Sequence, residues 1–284
     1  MSNLLPRIEF GLQALVRRQR ICPFCAGREH RVVARKLGVV RIRRCETCCL
    51  YFTDPIYKSQ LADLYDSLYE AEGSTTRLPD AHELSALKSD RFASSDKNCA
   101  AQLLALERLG AGRRLLEIGS SWGYFLYQAK ASGFSATGVE PAQRRREYGV
   151  RWLKVDIRPS IDKVAERVFD VIYCAHTLEH VTDVRAFFAG CHARLRTGGL
   201  LALEVPHFDL ETLGGHVLSI IGAIHPLGLS RPFFERALPL AGFACAGIYD
   251  AWSSVPSRPV STAREGNLIV IAEKVDRPDD RVAA

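Results

Sequence analysis

Residues 115–126 read LLEIGSSWGYFL, and the way this stretch has to turn decides the fold. An apolar run, RRLLEI (113–118), predicts a strand; a helix is predicted from about 123 to 132. Between them Gly119 and Gly123 allow a tight turn and a close backbone approach to a ligand, while the helix start offers free N–H groups to a carboxylate. Glu140 stands twenty-one residues beyond Gly119, at the end of a second predicted strand, SATGVE (135–140). That spacing suits an acid accepting hydrogen bonds from two ribose hydroxyls. A dinucleotide enzyme would carry G-x-G-x-x-G. Here the pattern from Glu117 is E-x-G-x-x-x-G, with Ser121 where a middle glycine is common.

Outward from this stretch, helix and strand patterns alternate from about residue 96 to 274, which predicts an α/β fold with a parallel sheet covered on both faces. Helices are expected near 96–110, 142–149, 183–196 and 231–241, with a weaker one near 160–166. Strands are expected at 152–155, 169–176 (FDVIYCAH) and 200–205 (LLALEV), followed by a closing pair at 243–250 and 267–273. The expected organisation is an N-terminal segment with a metal ribbon (1–55), a helical connector (56–95), the large α/β domain (96–274) and a disordered tail (275–284). In the connector, Tyr57, Tyr65 and Tyr69 are spaced along a predicted helix ahead of the turn-prone EGSTTRLPD.

The 284 residues, 47% hydrophobic and 25% charged, suffice for one large core and a small appendage. No apolar run reaches the roughly 18–20 residues that span a bilayer, and the first twenty residues lack a secretory pattern, so a cytoplasmic protein is expected. Those twenty residues read as a packing or frayed helix, with membrane-surface contact as the alternative. The net charge of +6 is uneven: residues 1–50 hold eleven Lys and Arg against three acids, a local +8. This points either to an anionic partner (nucleic acid, a phosphorylated substrate or a membrane face) or to a solvated surface partly offset by metal-bound thiolates.

Four of the nine cysteines carry chemistry. Cys22-Pro-Phe-Cys25 and Cys45-Glu-Thr-Cys48 are two C-x2-C knuckles nineteen residues apart, the spacing of a tetrahedral structural Zn2+ site. Four thiolates leave no open position for water, so a catalytic zinc is not expected. Cys49 competes with Cys48, and the C-x2-C spacing favours Cys48. Cys99, Cys174, Cys191 and Cys245 read as buried free cysteines.

The ordered set of motifs resembles the class I S-adenosylmethionine-dependent methyltransferases over about residues 96–274. LLEIGSSWGYFL resembles their first motif, RVFDVIYCAHTLEHV (167–181) their fourth strand and "EHV" turn, and LRTGGLLALEVP (195–206) the turn and strand after it. IHPLGLSRPFFERALPLAGF (224–243) is similar to the segment entering the closing strand pair. The N-terminal ribbon further resembles small-molecule and sugar methyltransferases of surface-polysaccharide or natural-product pathways. The resemblance implies a Rossmann-like seven-stranded methyltransferase sheet and S-adenosyl-L-methionine as cofactor. Carried over, Glu117, Gly119, Ser121 and Gly123 would shape the methionine-binding loop and Glu140 would hold the ribose; Asp156 or Ile157 would lie against the adenine. His176 and Thr177 would line the mouth shared by cofactor and substrate.

Methyl transfer from a sulfonium is a direct displacement, so the enzyme must position the acceptor and, for a hydroxyl or carbon acid, supply a base. His180 or His225 is the expected base, with Glu179 orienting it or capping the loop; His207 and His216 are further histidines of the later insert. Residues 207–230 read as a substrate lid whose apolar part either packs as core or covers an apolar portion of the substrate. Arg144, Arg145 and Arg146 read as a solvated helix face. The expected partner is a small molecule, sugar-linked or anionic. RNA gripped by the basic ribbon, a catalytically silent binding protein and a nicotinamide oxidoreductase are the alternatives.

Overall fold

The computed structural model describes residues 12, 15, 18–56, 77–164, 168–260 and 266–276. Most of the predicted N-terminal helix, the helix carrying Tyr57, Tyr65 and Tyr69, and nearly all of the predicted tail lie outside them. Two sheets organise the chain. The smaller is built from β1 (His30–Lys36), β2 (Val40–Cys45), β3 (Tyr51–Asp54) and β9 (Leu227–Gly228), in that order and antiparallel throughout. In β2 the buried Val40 and Ile42 alternate with the more exposed Arg41 and Arg43, the period of two that a half-buried strand requires.

The larger sheet has seven strands in the order β10-β11-β8-β7-β4-β5-β6. These are β4 (Arg114–Ile118), β5 (Ser135–Val139), β6 (Asp156–Arg158), β7 (Phe169–Ala175), β8 (Leu195–Pro206), β10 (Phe243–Tyr249) and β11 (Asn267–Lys274). Strands β6, β5, β4, β7 and β8 run parallel, and β11 inserts antiparallel between β8 and β10. Because side chains alternate across the sheet, β7 sends Val171 and Tyr173 to one face and Ile172 and Cys174 to the other. The first face packs on α2 (Ala100–Arg108) and α3 (Tyr124–Ala131), near α1 (Ala81–Ser89); the second packs on α5 (Val184–Arg194) and α7 (Arg231–Leu240).

Local chemistry explains the helix starts. Asp80 caps α1 in a reciprocal capping box with Glu83, so the predicted turn ends on a helix N-terminus. Ser230 caps α7, with Pro232 in its first turn. One predicted strand is absent: residues 152–155 are not extended. After α4 (Gln143–Tyr148) the chain makes a wide helical turn over Gly149–Leu153, breaks at Lys154 with φ 56°, and only then enters β6. Of the weak helix predicted near 160–166, the described residues form a helical turn at Ile161–Lys163, and 165–166 lie outside them.

The insert after β8 holds the short α6 (Leu210–Leu213), a helical turn at Gly215–Ser219 and β9. Its Phe208, Val217 and Ile221 form a buried cluster with Ile42 and Tyr51 of the small sheet. The carboxyl ends of β4, β5, β7 and β8 all open toward one edge, where an open α/β sheet binds its ligands.

Candidate active site

The loop after β4 is shaped by two left-handed glycines and one left-handed serine. Gly119 (φ 82°) and Gly123 (φ 83°) flank Ser121 (φ 49°), which takes the conformation a glycine would occupy more cheaply. A Cβ on Gly119 would lie 1.9 Å from Thr177 Oγ1, and one on Gly123 would lie 2.7 Å from Val155 Cγ2 and 3.2 Å from Ile157 Cδ1. Thr177 and Ile157 therefore press on the loop from two sides. Asp156 points away; its exposed carboxylate pairs with Arg158 at 3.0 Å. Of the two residues expected beside the adenine, only Ile157 faces the loop.

Glu140 closes the loop from below. Its Oε2 accepts from Ser121 N and its Oε1 from Ala142 N, both at 2.9 Å, and the side chain is buried. Burial raises its pKa, opposed by the Ala142 amide, nearby Arg145 and the Ser121 amide. Glu117 is more isolated. Burial, reinforced by the charge of Glu140, pushes its carboxyl well above the usual range. Its Oε2, Ser120 Oγ and Trp122 Nε1 are buried with no hydrogen-bond partner among the described residues. Orphaned polar atoms beside a paired acid mark a place built for a polar, cationic ligand. S-adenosylmethionine, with its sulfonium, ammonium and ribose hydroxyls, fits that donor set. Beyond Trp122 a cleft of about 490 Å³ opens between Arg77, Pro79, Leu87 and Lys97.

At the end of β7, His176 (φ 47°) stands half-exposed between two acids. Its Nδ1 is 3.7 Å from Glu179 Oε1 and its Nε2 is 3.6 Å from Glu204 Oε1. Contact with Glu179, then Glu204, raises its pKa to about 10. Glu204 is held in turn by Trp252 Nε1 (2.7 Å) and Asn267 Nδ2 (2.8 Å). Burial pushes Glu204 up, but bonds from His176 and Trp252 outweigh it, so its pKa is lowered.

His180 and His225 meet edge to face with ring centres 4.4 Å apart. His180 Nδ1 lies 3.0 Å from the Ile224 carbonyl and His225 Nδ1 lies 3.0 Å from the Ile220 carbonyl. A carbonyl only accepts, so each ring carries its proton on Nδ1, leaving Nε2 as the basic nitrogen. Burial lowers the His180 pKa to about 4, which keeps the ring neutral. Glu179, His180 and His225 bring one donor atom each within 4.8 Å of one another, and Glu179 Oε2 is buried without a partner among the described residues. Such a group can take up a proton or ligate a cation.

The four knuckle cysteines converge in a separate cluster. Their Sγ atoms all lie within 4.8 Å of one another, with Cys22–Cys48 and Cys25–Cys45 at 3.5 Å. The two knuckles have the same backbone path. Ala26 N donates to Cys22 O and Cys49 N to Cys45 O; Ala26 (φ 59°) and Cys49 (φ 61°) are both left-handed. Cys49 thus occupies the position of Ala26, outside the cluster, and Arg44 Nη2 donates to its sulfur at 3.3 Å. The soft, tetrahedral-capable donor set fits Zn2+.

The residues expected from the sequence therefore gather in three groups: the loop with Glu117, Glu140, Ile157 and Thr177; the histidine cluster after β7 with His176, Glu179, His180 and His225; and the cysteine cluster. His207 is buried beside Leu229 and His216 is exposed, both outside the Glu179–His180–His225 cluster. The arginine run is not a solvated face throughout. Arg145 is buried and donates to Ser121 Oγ at 2.8 Å, and Arg146 donates to the Glu140 carbonyl at 2.9 Å. Cys245 is exposed rather than buried. Sequence reasoning passed over Glu204, Trp252 and Asn267; the lone acid inside LLALEV was the available signal.

Comparison with known proteins agrees with this fold. The methyltransferase domain family matches residues 89–246. Ubiquinone biosynthesis O-methyltransferase of Bradyrhizobium sp. (strain ORS 278) is 26% identical over 194 residues, covering 58% of this chain and 72% of that protein. The protein of the same name from Chelativorans sp. (strain BNC1) is 30% identical over 188 residues, 57% of this chain and 72% of its own. Other relatives of that name match over about half their length, 51% and 48%. A solved S-adenosylmethionine-dependent methyltransferase from Clostridium acetobutylicum ATCC 824 shares the fold at 12% identity and a TM-score of 0.51, covering 69% of this chain and 100% of that one. The cysteine knuckles lie outside the family match.

Proposed function

The chain belongs to the class I S-adenosylmethionine-dependent methyltransferases, and from that premise we propose that it methylates a hydroxyl or carbon acid of a small, sugar-linked metabolite, using the His180–His225 pair as base. The observation that carries the reading is the tethering of both imidazoles through Nδ1, with their rings edge to face beside Glu179 and His180 held neutral. The names of the relatives favour oxygen as the atom methylated.

Bound S-adenosylmethionine supplies an electrophilic methyl group. Around it the chain's own residues divide the work. Glu140, pinned by two backbone amides, turns its remaining lone pairs to the ribose hydroxyls. Glu117 offers the methionine end a carboxyl with no cation of its own nearby. Gly119, Ser121 and Gly123 would let the backbone approach the cofactor closely, and Ile157 and Thr177, which press on this loop, would flank its adenine and the mouth. His180 or His225 removes the acceptor proton at Nε2, and the carboxyl group of Glu179, within 4.8 Å of both, stabilises the imidazolium that forms. His176, protonated and held between the Glu179 and Glu204 carboxyl groups, fixes the turn after β7 that carries Thr177 and His180.

Cys22, Cys25, Cys45 and Cys48 hold a structural Zn2+. A cytoplasmic setting accompanies this reading, since thiolate ligands need reducing conditions. No helix of the described residues is long and apolar enough to cross a membrane. RNA binding is disfavoured by the ribbon's own ion pairs: Arg43 binds Asp54 at 2.8 Å, and Arg31 and Arg44 bind Glu211. The test is a radiolabelled methyl-transfer screen over nucleotide sugars, hydroxylated aromatics and transcript RNA. The reading expects label on a small molecule and its loss in the double variant His180→Ala/His225→Ala. Label on RNA, or full turnover by that variant, would overturn it.

A further inference from the structure

The ribbon does more than fold around its cysteines. It touches the 207–230 insert at the beginning, middle and end. At the beginning, buried Tyr51 Oη donates to Asp209 Oδ1 at 2.9 Å, and Asp209 Oδ1 also accepts from Glu211 N at the start of α6. At the end, β3 pairs with β9, and Thr53 N donates to the carbonyl of Pro226, the residue next to His225, at 2.9 Å. The fit there is tight: a Cβ on Gly228 would lie 2.3 Å from the Phe208 ring, which itself meets the Tyr51 ring edge-on at 5.1 Å.

The middle contact bears on the acceptor mouth. Lys36, at the tip of the β1–β2 hairpin, donates to the carbonyls of Leu218 (2.8 Å) and Ile221. Between these lies Ile220, whose carbonyl accepts from His225 Nδ1, and Gly222 N donates back to His225 O at 2.8 Å. The helical turn Gly215–Ser219 ends here, so the carbonyls at and just beyond its end need partners outside the turn, and an ammonium with three donors can serve two of them. Lys36 takes two of these carbonyls and so leaves the third aimed at His225.

The ribbon is itself fixed to the large domain. Phe24 packs edge-on against Phe188 and Phe233 at 5.6 Å each; Arg185 donates to Phe24 O at 3.1 Å and Arg236 to Glu46 O at 3.0 Å. A rigid path thus runs from α5 and α7 through the metal knuckles to the loop that carries His225.

From this path we infer that Lys36 and Tyr51 of the ribbon are positioning residues that set the tautomer and orientation of His225 against His180. The ribbon is then one wall of the acceptor mouth, assembled independently of the cofactor loop. This builds on His225 belonging to the acceptor site, but the test reads the ring itself and not methyl transfer.

The experiment is long-range 15N–1H spectroscopy on full-length, zinc-loaded protein labelled at histidine, comparing native, Lys36→Met, Lys36→Arg and Tyr51→Phe. S-adenosylhomocysteine affinity is measured on each. In the native protein His225 shows a single Nδ1–H tautomer. Lys36→Met and Tyr51→Phe convert it to a mixture and shift the His180 resonances, while cofactor-product affinity stays within about threefold. Lys36→Arg restores the single tautomer. Should Lys36→Met not fold, the nearly isosteric Tyr51→Phe carries the same comparison. The inference is overturned if His225 keeps its single tautomer in the folded variants, or if S-adenosylhomocysteine affinity collapses along with it, since the ribbon would then support the whole chain and not this wall. An unchanged tautomer leaves the base reading standing, and a catalytically idle His225 leaves the positioning result standing.

Discussion

Gly119→Ala should be among the most damaging single-methyl additions in this protein, and its cost can be worked from three contributions. The residue sits at φ 82°, where a Cβ costs about 1–2 kcal/mol. The new carbon would meet Thr177 Oγ1 at 1.9 Å, with Thr177 Cβ and Cγ2 both at 2.9 Å. Rotating a stiff, β-branched side chain moves Oγ1 and Cγ2 but not Cβ, so the backbone must yield as well, at an overpacking cost of about 1–3 kcal/mol. Rotation also breaks the 3.0 Å bond from Thr177 Oγ1 to the Ala175 carbonyl, about 1 kcal/mol. The sum, about 3–6 kcal/mol, is a large part of the roughly 5–15 kcal/mol that typical proteins possess. Urea unfolding measures it directly. Thr177→Ala removes Oγ1 and Cγ2, so the double variant should recover about 1–3 kcal/mol relative to additivity. A Gly119→Ala loss below about 1 kcal/mol, or simple additivity with Thr177→Ala, would refute the packing of the loop against the β7 turn.

Three other substitutions or titrations probe separate parts of the account. Cys49→Ala should keep one zinc per chain by atomic emission, whereas Cys48→Ala should lose it and leave the ribbon unfolded by circular dichroism, since zinc binding contributes roughly 10–16 kcal/mol in such sites. Glu117→Gln should raise the melting temperature of the ligand-free protein by a few degrees, because it removes a buried carboxyl whose pKa is raised, and should weaken S-adenosylhomocysteine binding in calorimetry. The two histidines should titrate in opposite directions by NMR. His176, raised to about 10, stays protonated through neutral pH and contributes stability that is full below its unfolded value of about 6.5 and lost as pH rises through 10. His180, lowered to about 4, is neutral when folded; the unfolded chain binds the extra proton between about pH 4 and 6.5, so stability falls as pH drops through that window. A His180 that protonates near pH 6.5 would remove its role as a neutral base.

How far these features could be read in the sequence depends on how local they are. The turn from β4 to α3, Glu140 and both cysteine knuckles rest on spacing within a few residues, and each lies where its spacing implied. The choice between Cys48 and Cys49 likewise follows from repeating one knuckle's backbone path in the other. The misread strand at 152–155 is a different case. Trp152, Leu153 and Val155 have strand-forming composition, yet the wide turn after α4 leaves Trp152 46% exposed and moves the edge strand to Asp156. Arg145 was illegible because the short α4 lies against the β4–α3 loop, and which of three successive arginines points inward depends on that docking. The pairing of β3 with β9 joins residues more than 170 positions apart, and no local pattern signals it. Glu204 gave only the hint of an acid in an apolar strand; its partners come from Trp252 and Asn267, far along the chain.

The measurement that tests the central claim most directly is calorimetric titration of the zinc-loaded protein with S-adenosylhomocysteine, on the native chain and on Glu140→Ala. The substitution removes an acceptor pinned by two backbone amides, and charge-assisted hydrogen bonds contribute about 1.5–3 kcal/mol each, so the affinity should fall by about tenfold or more. Tight one-to-one binding by the native protein, weakened to that extent by Glu140→Ala, is the predicted result. No binding by a folded, zinc-loaded chain, or equal binding by both proteins, would contradict the assignment of this loop as the cofactor site.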